Sequence, residues 1–136
     1  KWMKLMSIHG EYTKDYFLKK VEEQIKEHGL LSTLRDKIKL DGMEFRLVFF
    51  KPETSMNPEL EELYSGNILE CVRQLHYSMD NENSIDITLF VNGFPIVIME
   101  LKNQYTGQDI NNSIHQFKFD RDPEESIFRF NERSLV

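Results

Sequence analysis

The chain has one cysteine, no excess of basic residues, no long apolar run and no nucleotide-binding loop, and each shortage narrows what it can be. With Cys71 alone there is no internal disulfide, so a reducing compartment, the cytoplasm, is the expectation. No apolar stretch approaches the roughly 20 residues that a membrane span needs, and nothing at the start resembles a secretory signal; no membrane is expected as a partner. There is no G-x-x-x-x-G-K-[ST] run, which excludes a P-loop ATPase motor from these residues. The four histidines, His9, His28, His76 and His115, have no ligand spacing among them and read as surface or helix-end residues. Lys and Arg number 17 against 23 Asp and Glu, a net charge of −6. That balance argues against a free-standing DNA binder, because phosphate binding draws on a basic surface. Two circumstances soften it: some carboxylates can be metal ligands, and a larger assembly can supply the grip on DNA.

What is present is a soluble-type composition, 40% hydrophobic and 29% charged, over 136 residues. That length is ordinary for one domain with a real core, spanning 1–136. No internal repeat or low-complexity tract interrupts it. Phe17, Val21, Gln24, Ile25 and His28 recur at helical steps and predict a helix over 11–28, with Thr13 as cap and Gly29 as stop. A shorter helix is expected over 31–37 and a strand over 43–50. Asn57-Pro58 is a helix start, with the cap followed by proline in the first turn. Residues 67–77 fit a helical stripe and a strand face equally well. Asp109 can cap a helix carrying Ile110, Ile114 and Phe117, and the alternation of 126–130 predicts a final strand.

The chemistry concentrates in Ser84–Lys102, which reads as a β-hairpin bearing Asp86, Glu100 and Lys102. Two acids and a lysine on adjacent strands can hold a divalent metal beside a phosphate and activate a water. Asp and Glu oxygens suit Mg²⁺, whereas Zn²⁺ favours His or Cys. Parity imposes a condition. A simple two-residue Asn92-Gly93 turn would pair Asp86 with Met99 and turn it away from Glu100. A three-residue connection or a bulge would put both acids on one face. The plainer alternative is that Glu100 and Lys102 form an exposed salt-linked pair of little energetic weight.

The runs Asn67–Gln74, Ser84–Pro95, Met99–Asn103 and Gln116–Pro123, in this order, resemble the N-terminal nuclease domain of type I restriction enzyme R subunits, a branch of the PD-(D/E)xK endonucleases. The resemblance is clearest over the central half of the chain and weaker over 1–50. It implies an α/β, restriction-endonuclease-like mixed sheet with an antiparallel hairpin core flanked by helices, and favours a strand ahead of the hairpin. It implies that Asp86 and Glu100, with the Leu101 carbonyl, bind Mg²⁺, for which Mn²⁺ can substitute. Lys102 would orient the attacking water, and Gln116 would position DNA or the metal-bound network. Asn103, Gln104, Thr106, Lys118 and Arg121 are implied phosphate contacts. Related nucleases place Tyr four residues after that Gln; here the position is Asp120. The implied partners are double-stranded DNA, the rest of an R subunit whose motor alone would use ATP, and methyltransferase and specificity subunits. The chain would then be a piece of a longer R subunit, as its abrupt end also suggests. Glu11, Glu22 and Glu23 are available should an early-helix acid join the site. Two other readings remain: a non-catalytic interaction domain with a nuclease-like fold, and a stand-alone repair or recombination nuclease of the same superfamily.

Overall fold

The computed structural model describes residues 1–54, 56–101, 110–125 and 127–129. Its contacts divide the chain into two compact units, Lys1–Asn67 and Ile68–Val136, where length alone had suggested one. The architecture is α/β with antiparallel sheets and helices, of the restriction-endonuclease-like class expected; every described strand pairing is antiparallel.

The first unit opens with α1 (Trp2–His9), a 3₁₀ turn (Gly10–Tyr12) and α2 (Thr13–His28). Val21 and Ile25 of the expected stripe are buried, as is Leu5 of α1. Thr13 is buried inside the helix rather than capping it, and its hydroxyl donates to the Gly10 carbonyl at 2.6 Å. Gly29, at φ +82°, ends α2 as expected and donates to the Ile25 carbonyl at 2.8 Å. Next come α3 (Leu30–Arg35) and a small hairpin, β1 (Ile38–Leu40) and β2 (Met43–Phe45). Lys37 donates to Glu44 at 2.6 Å and holds that carboxyl below the usual range.

The strand expected over 43–50 stops at Phe45. Further on, the Asn67 side chain accepts from Phe49 N at 3.1 Å and donates to its carbonyl at 2.6 Å, so a side chain satisfies the main chain where a strand would have. The Asn57 cap is as expected: its side chain accepts from the amides of Glu59 and Leu60 at the start of α4 (Pro58–Ser65).

The second unit is built on a three-stranded sheet in the order β3 (Leu69–His76), β4 (Ser84–Val91), β5 (Phe94–Met99). The ambiguous 67–77 stretch is therefore a strand, as the resemblance favoured. The central strand β4 is mostly half-buried, with Ile85 and Thr88 fully enclosed, so two-sided burial is less complete than its apolar run suggested. Ile85, Ile98 and Ile127 form the core with Leu75, Tyr77 and Phe128 around them. Beyond the hairpin, α5 (Ile110–His115) continues into a π-helical turn, Gln116–Asp120. Ile114 is exposed, while the side chains of Ile110 and Phe117, and Asp109 itself, lie outside the described residues. The strand expected over 126–130 is absent among the described residues, and Ile127–Arg129 is a turn. No described helix is long and apolar enough to cross a membrane.

Candidate active site

Asn92 and Gly93 both take left-handed backbone (φ +50° and +82°), so the β4–β5 connection is a tight two-residue turn with Val91 facing Phe94. On parity alone this would separate the acids. A bulge restores them: Phe90 pairs with Pro95, but Leu89 pairs with Val97, leaving Ile96 as the extra residue. The shift falls directly after Pro95, which has no N–H to give a ladder. From there the register runs Thr88 to Ile98 and Ile87 to Met99, where the ladder ends; the same register carried one step on would set Asp86 opposite Glu100. The condition derived from the sequence is met by a bulge, with the two-residue turn retained.

Asp86 is held on both carboxylate oxygens. Oδ1 accepts from Gln74 Nε2 at 2.8 Å, and Oδ2 accepts from the Leu101 backbone N–H at 2.7 Å. Gln74 in turn accepts from the Ser84 hydroxyl at 2.9 Å. It adopts left-handed backbone (φ +51°) in the middle of β3, a conformation that non-glycine residues avoid unless the surroundings enforce it. Sequence reasoning had passed over Gln74; an amide side chain one strand away from an acid was its only signal.

Glu100 is held differently. Its side chain is 5% exposed and forms an ion pair with Arg121, itself 4% exposed in its side chain. Arg121 also donates to the Tyr77 hydroxyl at 2.7 Å and to the Ser84 carbonyl at 2.8 Å. Tyr77 and Phe128 stack edge to face, centroids 4.8 Å apart, beside the guanidinium. This corrects the expectation that Arg121 reaches a phosphate: it is turned inward because a buried carboxylate demands a buried counter-charge. That demand was the one signal available in the sequence, and it does not by itself select the partner.

The structure thus bonds Asp86 to the amide of Leu101, the residue that follows Glu100. Gln116 is half-buried, opens the π-helical turn and receives the Arg121 amide on its carbonyl at 3.1 Å. Lys118 is exposed. Lys102, Asn103, Gln104 and Thr106 lie outside the described residues. The histidines sit near acids, His9 on Asp41 at 2.8 Å and His115 near Asp120 at 3.8 Å. Among the described residues no three His, Cys, Asp or Glu side chains are grouped to hold a metal. The expected ligand set needs only two carboxylates and a carbonyl. Its all-oxygen chemistry fits Mg²⁺.

No curated protein and no solved structure matched the chain. The family described as "Type I restriction enzyme R protein N terminus" matches residues 10–136, a span that takes in α2, the five described strands, Asp86 and Glu100. With nearly its whole length accounted for in this way, the chain belongs to the family of type I restriction enzyme R protein N-terminal regions.

Proposed function

We propose that the chain is a metal-dependent DNA endonuclease domain that hydrolyses phosphodiester bonds of double-stranded DNA within a type I restriction complex. The observation that supports this most strongly is the bulge at Ile96, which shifts the register toward Asp86 opposite Glu100 in a member of a restriction-enzyme family. Asp86, Glu100 and the Leu101 carbonyl are the residues to hold Mg²⁺ or Mn²⁺. The bound ion would act as a Lewis acid on a phosphoryl oxygen and make water a better nucleophile. Gln74 and the Leu101 amide fix the Asp86 carboxylate, so it needs little reorganisation before a reaction.

Lys102 is assigned to orient the attacking water and to meet charge building on the phosphate. The water oxygen bonds to phosphorus, the bond to the leaving sugar oxygen breaks, and a proton from water passes to that oxygen. Gln116, Lys118, Asn103, Gln104 and Thr106 are assigned to position the strand. Choice of DNA sequence, ATP-driven movement and methylation belong to other parts of the complex, so the chain alone should cut weakly and with little sequence preference.

The test is plasmid nicking with Mg²⁺ or Mn²⁺ beside Lys102→Ala. Losing one group that stabilises transition-state charge should slow nicking by about a hundredfold or more, and chelator should abolish it. A non-catalytic interaction domain is the second reading, favoured by the charge of −6 and by Asp120 in the tyrosine position. Absence of both cutting and metal binding would establish that reading instead.

A further inference from the structure

We propose that Arg121 is the positioning residue of Glu100, fixing its carboxylate at a set distance from Asp86 and thereby setting how tightly the two acids take a divalent cation. This rests on the nuclease reading above. The geometry is that of a gauge between two strands. The guanidinium grips Glu100, just past the end of β5, and with the same Nη2 it donates to the Ser84 carbonyl at 2.8 Å. Ser84 begins β4 and precedes Asp86 on the same strand by two residues. Glu100 is therefore referenced, through one planar and rigid group, to the strand that carries the other acid. A third bond, from Nη1 to the Tyr77 hydroxyl at 2.7 Å, and the rings of Tyr77 and Phe128, 5.2 and 5.9 Å from the guanidinium carbon, stop the fork from rotating.

Simple charge neutralisation does not account for this arrangement. A lysine would neutralise Glu100 with one ammonium, but it could not present two nitrogens in a fixed plane to two strands and a phenol. The site also accepts an imperfection to keep this geometry: Arg121 Nε is buried with no hydrogen-bond partner among the described residues, a rarity in folded proteins. The backbone supports the same placement, since the π-helical turn ends with the Arg121 amide on the Gln116 carbonyl. Turns of that kind concentrate at functional sites.

The experiment titrates Mn²⁺ alone into the whole chain by calorimetry, with circular dichroism and thermal melting alongside. Arg121→Lys keeps the charge and loses the fork; Tyr77→Phe leaves Arg121 and Glu100 in place and removes one tether. The expected result is Mn²⁺ affinity at least tenfold weaker in Arg121→Lys and about threefold weaker in Tyr77→Phe, the latter with an unchanged spectrum. Should Arg121→Lys fail to fold, Tyr77→Phe decides alone. Lower melting temperatures with unchanged Mn²⁺ affinity would overturn the proposal and leave Arg121 a purely structural group. Tighter binding in either variant would also overturn it, by showing the guanidinium to be a competitor of the metal. If the parent chain binds no Mn²⁺ at all, the nuclease reading fails first and takes this inference with it; weakened binding confined to the variants cannot arise that way.

Discussion

At the scale of single residues, the second unit is organised around two acids with contrasting surroundings. Asp86 is half-buried and held by neutral donors, an amide side chain and a backbone N–H. Glu100 is enclosed and held by a cation. Removing one partner of a buried ion pair leaves an uncompensated charge, which typically destabilises by about 3–5 kcal/mol. Arg121→Met should therefore lower the unfolding free energy by about that much in urea titration, and Glu100→Gln/Arg121→Met should lose clearly less than the sum of the single changes. Additive losses would mean that the two side chains do not depend on each other. The acids were legible in the sequence because charge inside an apolar hairpin is conspicuous. Arg121 was not, because nothing local distinguishes a cation that turns inward to a carboxylate 21 residues away from one that faces solvent.

At the scale of elements, the hairpin carries the account. Asn92-Gly93 announced a tight turn, and parity announced that a tight turn alone could not serve the site. The bulge beside Pro95 reconciles the two. Gly93 has open space where a Cβ would go but sits at φ +82°, so the strain in Gly93→Ala is conformational rather than steric. It should cost about 1–2 kcal/mol by chemical denaturation. A neutral effect would show that the turn relaxes without penalty and does not pin the register.

The same signal was present in Asp41-Gly42, whose residues adopt φ +48° and +73° between β1 and β2. It was obscured by the apolar run of 43–50, which reads as a single strand but whose second half bonds to the Asn67 side chain. The tail misled for another reason. Ile127 and Phe128 both pack on the Ile85–Ile98 cluster, although consecutive strand residues point to opposite faces. Alternation in composition does not ensure alternation in space, because a turn lets neighbouring side chains share one side.

At the scale of the whole molecule, the family assignment covers both units, although the sequence resemblance was drawn mainly from the second. The runs that carried it coincide with β3, the β4–β5 hairpin and the π-helical turn, which together place the candidate site. The first unit was less legible because its helices and small hairpin carry packing residues and no chemistry-bearing pattern. A net charge of −6 gives the chain little general attraction for a polyanion, so on the proposed function a bound metal would have to supply what specificity for a scissile phosphate exists.

The most direct measurement is plasmid nicking in Mn²⁺ by the parent chain and by Asp86→Asn. That substitution keeps an oxygen to accept a hydrogen bond and removes the charge a divalent ion needs. The expected result is slow, chelator-sensitive nicking by the parent and none by a folded Asp86→Asn, with Mn²⁺ binding lost in parallel. Equal nicking by both proteins, or a parent that neither binds Mn²⁺ nor cuts, would contradict the assignment of Asp86 and Glu100 as a catalytic metal site.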